Sequence, residues 1–232
     1  MIDLYALTSP NVQKVFIALE ELELPYNTIV VDVWKGEHYR DEFGALNPNR
    51  KIPVIVDHEG PGGKPVTVIE SGAILIYLAE KTGRLLPSDA LKRLEALQWL
   101  MLQMASVGPM SGQLVHFSKF APPGNDYAVS RFRSEVNRLF DLYDERLATR
   151  DWVAGDDYSI ADIAAFPWLR NHVFLGISVD KRPNLTRWVE RISARPAVQR
   201  AMAKVATIPS SRDTSSDEDR DRIFQRGRFA RV

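Results

Sequence analysis

The chain of 232 residues contains no cysteine. This absence excludes protein disulfides, metal sites built from thiolates, and a sulfur nucleophile that belongs to the protein itself. If the protein performs thiol chemistry, the reacting sulfur has to come from a small molecule.

Net charge and long apolar runs are also absent. The 30 basic and 30 acidic residues balance, so no general attraction to nucleic acid or to an anionic membrane is expected. No apolar stretch approaches the length of a transmembrane helix, and the residues after Met1 lack the basic leader and apolar core of a signal sequence. We therefore expect a soluble, cytoplasmic protein whose partners are small molecules or proteins, with no nucleic acid and no membrane among them.

Metal ligands are sparse as well. The four histidines are scattered, and none has the spacing to a second histidine or to a glutamate that metal sites use. No metal cofactor is expected.

The first part of the chain alternates strand and helix signals. Ser9 and Pro10 have the form of an N-cap followed by the first residue of a helix. Apolar and β-branched spacing, with turn-forming Gly and Pro between the segments, predicts four strands and three helices. The strands are predicted over 2–6, 26–33, 53–57 and 66–69, and the helices over 10–22, 37–46 and 71–81, with Gly83 after the last. This order, βαβ, a short helix, then ββα, is typical of a thioredoxin-like topology.

The remainder of the chain has helical periodicity only. Helices are predicted over 91–117, with an interruption at Gly108 and Pro109, over 127–147, from Ser159 to about Phe174, and from Pro183 and Pro196. The Ser-x-x-Asp sequence at 159–162 has the form of a capping box. We predict a thioredoxin-like domain at 1–83, an all-helical domain at 89–207, and a charged, disordered tail at 208–232.

Two positions are suited to opposite ends of a small peptide-like anion. Pro53 favours an extended conformation for Ile52, whose backbone N–H and C=O can then pair with a ligand as a strand edge would. Ser71 lies at a predicted helix start, where unpaired N–H groups favour a carboxylate.

These motifs together resemble the cytosolic glutathione transferases over about residues 1–205. They are the Ser-Pro helix entry, Lys51-Ile52-Pro53, Glu70-Ser71 and the Ser-x-x-Asp box. The segments around Lys51 and Glu70 are most similar to the bacterial Nu class, the disulfide-bond oxidoreductase type related to the yeast prion-forming nitrogen regulator. The resemblance implies the glutathione transferase fold, α/β followed by all-α, and a homodimer.

The resemblance assigns Ser9 and Asn11 to catalysis, as donors to the sulfur of bound glutathione at a helix N-terminus, where the thiolate is favoured. From the residues alone, Ser9 as a simple N-cap is the more common role. Tyr5 is a rival donor because other branches use a tyrosine late in the first strand, but an aromatic residue in a buried strand is usually core.

The other predicted site residues bind glutathione by resemblance. Ile52, before a cis Pro53, holds the cysteinyl backbone, Glu70 holds the α-amino group, and Ser71 holds the γ-glutamyl carboxylate. His38 and Lys51 reach the glycyl carboxylate; His38 would make that contact pH-dependent, although a lone surface histidine is more often solvated. Arg131 approaches the thiols, against the default of a surface charge on an amphipathic helix.

The implied function is that of a glutathione transferase. The bound thiolate either attacks an electrophile or, as the Nu resemblance favours, reduces a disulfide with two glutathione molecules, with weak peroxidase activity from the same thiolate. Glutathione is the cosubstrate, as two molecules or as the disulfide in each subunit. The alternative is a non-catalytic scaffold of this fold that binds a protein, for which the charged tail is the main support.

Overall fold

The structure, a computed structural model, describes residues 1–230. They form two compact units, one of Met1–Ile74 together with the chain from Arg200 onward, and one of Leu75–Gln199. This division differs from the predicted one, because the boundary falls within a helix and because the end of the chain joins the first unit. Glu20 explains the latter, since its carboxylate pairs with Arg200 at 2.9 Å and with Lys204 at 2.6 Å.

The first unit is built on a four-stranded sheet in the order β2-β1-β3-β4. The strands are β1 Ile2–Ala6, β2 Tyr26–Val30, β3 Val54–Asp57 and β4 Val66–Ile69. β1 and β2 are parallel, whereas β3 is antiparallel to both β1 and β4. The predicted thioredoxin-like topology is confirmed.

Three helices belong to this part of the chain: α1 Pro10–Leu22, α2 Asp41–Leu46 and α3 Ser71–Thr82. Pro10 occupies the first turn of α1, where no N–H is needed, and Glu23 ends the helix in the left-handed conformation. α1 is buried nearly all round, and Val15, Phe16 and Leu19 are fully buried. Gly83 follows α3 with a φ of 66°, as predicted for a C′ glycine.

β2 is shorter than predicted because Asp32 begins a new turn. Its side chain accepts a hydrogen bond from the Trp34 N–H at 3.0 Å and caps a 3₁₀ turn at Val33–Lys35. A second 3₁₀ turn, Glu37–Tyr39, precedes α2. The predicted single helix over 37–46 is therefore two separate elements.

The second unit is helical: α4 Ala90–Leu102, α5 Gly108–Val115, α6 Asp126–Arg146, α7 Ile160–Leu169, α8 His172–Leu175 and α9 Pro183–Ser193. The predicted interruption at Gly108 and Pro109 is a π-helical segment, Gln103–Val107, directly before them. Pro109 cannot donate to the preceding turn, and a wider turn accommodates that missing bond.

α7 ends earlier than predicted. It continues through Pro167 to Leu169, after which the Asn171 N–H bonds to the Trp168 carbonyl at 3.2 Å in a tightened turn. The predicted capping box at Ser159 and Asp162 is present, and Asp162 is fully buried.

The tail is ordered through Ala230, contrary to the prediction of disorder; residues 231 and 232 lie outside the described range. α10 Pro196–Ala206 is followed by a 3₁₀ turn, Arg212–Thr214, and by α11 Asp217–Ile223. A capping box between Ser216 and Asp219 begins α11. The seven residues of α11 are charged but for one, which is why composition alone suggested disorder.

Among residues 1–230, no helix has both the length and the apolarity to cross a membrane. In the same range, no group of three His, Cys, Asp or Glu side chains could hold a metal ion.

Candidate active site

The strand register brings the predicted motifs of the first unit to one end of the sheet. Ala6 of β1 pairs with Val30 of β2, and Val54 pairs with both Tyr5 and Ile69. The chain that leaves β1 toward α1, the chain that enters β3, and the chain that leaves β4 toward α3 therefore meet there. The segment after β2 begins at the same end.

Ser9 and Asn11 lie at the start of α1. Ser9 has extended φ and ψ angles and its carbonyl accepts from the Val12 and Gln13 N–H groups at 3.0 Å, as an N-cap residue does. Its hydroxyl, however, makes no capping hydrogen bond to the described first turn. The Ser9 side chain is thus not committed to capping, which was the structural alternative to a sulfur donor.

Tyr5, the rival sulfur donor, packs against the hydrophobic core. Its ring lies edge-on to Phe43, with centroids 6.2 Å apart, and it packs against the cluster of Val31, Phe43 and Val54. This agrees with the interpretation of Tyr5 as a core residue.

Ile52 lies two residues before the first paired residue of β3, so its backbone is outside the ladder between β3 and its neighbours. The Ile52–Pro53 peptide bond is cis, as predicted. The side chain of Ile52 packs on the same cluster as Tyr5.

A buried asparagine that no sequence pattern indicated shapes the loop before Ile52. Asn47 donates to the Lys51 carbonyl at 2.7 Å and accepts from the Asn49 N–H at 2.9 Å. Asn49 in turn donates to the Glu70 carboxylate at 3.2 Å. The loop is therefore tied directly to the Glu70-Ser71 motif.

Arg50 closes the same loop from the other side. It has a φ of 53°, and its guanidinium donates to the carbonyls of Tyr39 and Arg40. Gly44 makes this possible, since a Cβ there would lie 2.6 Å from the Arg50 Nη2 atom. A side chain at position 44 would displace the guanidinium.

Ser71 begins α3 and is only 3% exposed. The Lys14 ammonium, on α1, donates to the Ser71 hydroxyl at 3.2 Å. Glu70, just before it, has a φ of 65° and an exposed side chain. The site thus combines a helix N-terminus, a hydroxyl and a cation beneath it, which together suit a carboxylate.

Lys14 is the main residue of this region that the motifs did not indicate. It is 0% exposed, and burial lowers the pKa of Lys14 to about 7, while the negative charge of Glu70 acts in the opposite direction. A lysine in an amphipathic helix is usually taken to face solvent. The available signal was that apolar residues surround position 14 on almost every side of α1.

His38 is buried, with 2% of its surface exposed, and not solvated as the default expectation had it. Its ring contacts that of Tyr39, with centroids 3.9 Å apart. Burial lowers the pKa of His38 to about 4, and the charges of Lys51 and Arg50 lower it as well. The imidazole is therefore neutral near pH 7, so the suggested pH-dependent contact does not lie in that range. Its Nδ1 atom has no hydrogen-bond partner among the described residues.

Arg131 lies in the second unit, on α6. Its side chain is 60% exposed and forms an ion pair with Glu135 at 3.7 Å. The predicted contact of Arg131 with glutathione stays a prediction.

Comparison with known proteins agrees with this geometry. Residues 8–81 match the family model of the glutathione S-transferase N-terminal domain, and residues 107–196 match that of the C-terminal domain. The chain is 45% identical over 205 residues to the disulfide-bond oxidoreductase YfcG of Escherichia coli K12, covering 88% of this chain and 95% of that protein.

Two solved structures are similar throughout most of the chain. A glutathione transferase from Burkholderia graminis, with two glutathione molecules bound per subunit, has a TM-score of 0.81 and 47% identity, covering 87% of each chain. A glutathione transferase from Pseudomonas putida, with one glutathione disulfide bound per subunit, has a TM-score of 0.82 and 41% identity, covering 87% of this chain and 90% of that one. These similarities confirm the resemblance that the motifs predicted.

Proposed function

The chain belongs to the glutathione transferase family, and from this we propose that it is an enzyme of the Nu type that uses glutathione to reduce disulfides. Weak peroxidase and conjugating activities would follow from the same bound thiolate. A cytoplasmic location, where glutathione is kept reduced, fits this chemistry.

The observation that carries the proposal is the start of α3, where the Lys14 ammonium donates to the Ser71 hydroxyl beside the exposed Glu70. The Ser71 hydroxyl and N–H would hold the γ-glutamyl carboxylate, with the Lys14 ammonium donating to that hydroxyl from below. The exposed Glu70 carboxylate would pair with the α-amino group. The carboxylate of the amino-acid headgroup would then lie near the Lys14 ammonium, and its α-amino group would lie near the Glu70 carboxylate.

The cysteinyl and sulfur positions follow from the register. Ile52, outside the ladder of β3, would pair with the cysteinyl backbone. The α1 N-terminus, at the same end of the sheet, would then face the sulfur. Ser9 and Asn11 would donate to it, which lowers the thiol pKa from its usual value of about 8.5.

At the glycyl end, His38 and Lys51 would hold the second carboxylate of glutathione. A neutral imidazole can donate one N–H, and the unpartnered Nδ1 atom of His38 is suited to this. Lys51 contributes charge. Arg131 would assist at the thiols.

The reaction needs no protein cysteine. A glutathione thiolate attacks one sulfur of the substrate disulfide, which forms a mixed disulfide and releases the other half as a thiolate. A second glutathione thiolate attacks the mixed disulfide at the glutathione sulfur, which forms glutathione disulfide and releases the remaining substrate thiolate. Each released thiolate takes up a proton, so two glutathione molecules supply both electrons.

The relatives support two thiols in one site. The Burkholderia graminis protein holds two glutathione molecules per subunit and the Pseudomonas putida protein holds the disulfide. These are the reactants and the product that the scheme requires.

Homodimer formation is part of the proposal. α4 exposes three large apolar side chains on one face, Leu91, Leu94 and Met101. A subunit interface would cover such a face. Light scattering of the wild type and of Leu94→Lys tests this, with a dimer expected to dissociate on substitution.

The scaffold alternative loses its main support. It rested on a charged tail with no other explanation, and α11 in the described structure packs within its own unit. The proposed carboxylate site at the start of α3 favours catalysis.

Calorimetry with glutathione and, separately, with glutathione disulfide tests the proposal, followed by a disulfide-reduction assay on the same sample. We expect two glutathione molecules or one disulfide per subunit, together with turnover. One glutathione with conjugation alone would contradict disulfide reduction, and absence of binding would contradict the function altogether.

A further inference from the structure

The C-terminal tail lies beyond both matched family domains, which end at residue 196, yet it is folded against the first unit. It packs on the segment from Asp32 to Tyr39, which leads from β2 to α2. At its start, the Ser211 N–H donates to the Asp32 carboxylate at 3.2 Å. The tail therefore makes specific contacts with this segment.

An aromatic contact anchors the middle of the tail. The Phe224 ring lies edge-on to Trp34, with centroids 6.2 Å apart and an angle of 82° between the rings. Gly36 lets the tail approach closely, because a Cβ there would lie 3.2 Å from the Arg222 Cδ atom. This glycine also has a φ of 77°, which other residues rarely adopt.

Tyr39 is the hydrogen-bonding centre of the interface. Its hydroxyl donates to the backbone carbonyls of Arg222, at 3.3 Å, and Ile223, at 3.5 Å, and accepts from the Gln225 side chain at 3.1 Å. The Tyr39 hydroxyl thus reaches the carbonyls at the end of α11, where the last turn of a helix has acceptors to spare.

The charges of the tail are largely paired within the tail itself. Arg222 pairs with Glu218 at 3.3 Å, and Arg226 pairs with Asp221 at 2.5 Å. The contacts with the segment therefore depend on the Phe224 ring and on backbone groups more than on charge.

Tyr39 also contacts His38, its neighbour in the chain. The two rings are in contact, with centroids 3.9 Å apart, and His38 is the residue assigned to the glycyl carboxylate. The tail thus fixes the neighbour against which the His38 ring rests.

We propose that residues 211–225 are a positioning element of the glutathione site, which holds Trp34 and Tyr39 and thereby orients His38 for the glycyl carboxylate. The inference rests on the proposed function. It assigns Phe224 and Tyr39 a role in affinity for one end of the ligand, although neither residue touches that ligand.

The test compares two ligands in the full-length chain by calorimetry. Glutathione has the glycyl carboxylate, and γ-glutamylcysteine lacks the glycine altogether. The variants are Phe224→Ala, which removes the anchor, and Tyr39→Phe, which removes only the hydroxyl. Phe229→Ala is the matched control, since its described contacts are with the tail residues Arg222 and Arg228.

We expect Phe224→Ala to weaken glutathione binding about tenfold, from the loss of an aromatic pair and the hydrogen bonds it holds in place, and Tyr39→Phe to weaken it about threefold. Binding of γ-glutamylcysteine should change in neither variant, and Phe229→Ala should resemble the wild type. KM for glutathione should rise with kcat nearly unchanged.

Two results would overturn the inference. Equal weakening of both ligands would mean that the tail supports the whole unit and not the glycyl end, and unchanged binding of both would mean that the tail has no role in the site. If the wild type binds neither ligand, the proposed function itself is contradicted. This result differs from both results that contradict only the role of the tail.

Discussion

Each unit buries a charged side chain completely, Lys14 in the first and Asp162 in the second. The two side chains differ in the residues that they contact. Asp162 accepts hydrogen bonds from groups of its own fold: the Val153 N–H at 2.9 Å, the Ser159 N–H and hydroxyl at 3.1 and 3.2 Å, and the Trp188 indole at 2.9 Å. Lys14 instead donates to Ser71, a residue assigned to the ligand. We therefore expect Asp162 to matter mainly for stability, and Lys14, which contacts a proposed binding residue, to matter mainly for ligand affinity.

Burial shifts the pKa values of Asp162 and Lys14 in opposite directions. Burial raises the pKa of Asp162 to about 6, although its hydrogen bonds oppose that rise, and burial lowers the pKa of Lys14 to about 7. Each shift disfavours the charged form. The donors around Asp162 offset the cost of burying its charge, and a bound carboxylate would add a favourable charge interaction with Lys14.

Removal of the Asp162 carboxylate should have the largest effect on folding. Asp162→Ala leaves buried donors of Val153, Ser159 and Trp188 without an acceptor, and we expect the free energy of unfolding to fall by about 4 kcal/mol. Urea unfolding followed by fluorescence measures this.

The control for that experiment is Asp162→Asn. Its amide oxygen can still accept, so the loss should be about half as large. An Ala variant as stable as the Asn variant would show that the donors do not depend on this side chain.

Lys14→Met should produce the opposite pattern. Replacing a buried ammonium with an apolar side chain of similar volume should leave the free energy of unfolding unchanged or raise it, while glutathione affinity falls by about thirtyfold because the carboxylate loses a cation. Calorimetry and urea unfolding of the same sample separate the two quantities.

Lys14→Arg is the matched variant, since it keeps the charge and should retain more affinity than Met. A Lys14→Met protein that loses stability as strongly as Asp162→Ala would remove the distinction between the two buried charges.

The sulfur donors should affect turnover more than binding. Ser9→Ala and Asn11→Ala should each lower kcat/KM for disulfide reduction by about tenfold, because the thiol pKa rises and less thiolate is present. Ser9→Thr retains the hydroxyl and serves as control. Unaltered rates in both alanine variants would refute the assignment of these residues.

The smallest expected effect is on the pH dependence of binding. S-methylglutathione has no thiol to titrate, so its affinity reports on the protein. As the pH rises from about 7 to about 8, Lys14 loses its proton, and the affinity should fall by up to about fivefold. The negative charge of Glu70 and a bound carboxylate both favour the protonated form. Calorimetry should give a flat profile for Lys14→Met, and an equal slope in both proteins would contradict the role of Lys14.

The fold was largely predictable from the sequence because its signals are local. Pro10, Gly83 and the Ser159 capping box mark helix ends that the structure reproduces. Boundaries failed where a local hydrogen bond redirects the backbone, as that between the Trp34 N–H and the Asp32 side chain does after β2, and that between the Asn171 N–H and the Trp168 carbonyl does after α7.

The site was predictable only in part. Family motifs predicted Ser71 and Ile52 as binding residues, but the burial of Lys14 and His38 depends on residues far away in sequence. Composition misjudged the tail, because its contacts with the Trp34 ring and the Tyr39 hydroxyl join segments about 185 residues apart in the chain. Such long-range contacts have no signature in a single sequence.

The position of the tail also bears on synthesis. The segment from Asp32 to Tyr39 is translated well before α11 and Phe224. Domains generally begin to fold from the N-terminus during translation. The sheet and its helices can therefore form on the nascent chain before α11 exists, and the segment next to His38 acquires the neighbours seen here only once α11 has been translated, so that a chain terminated before Ser211 would fold without them.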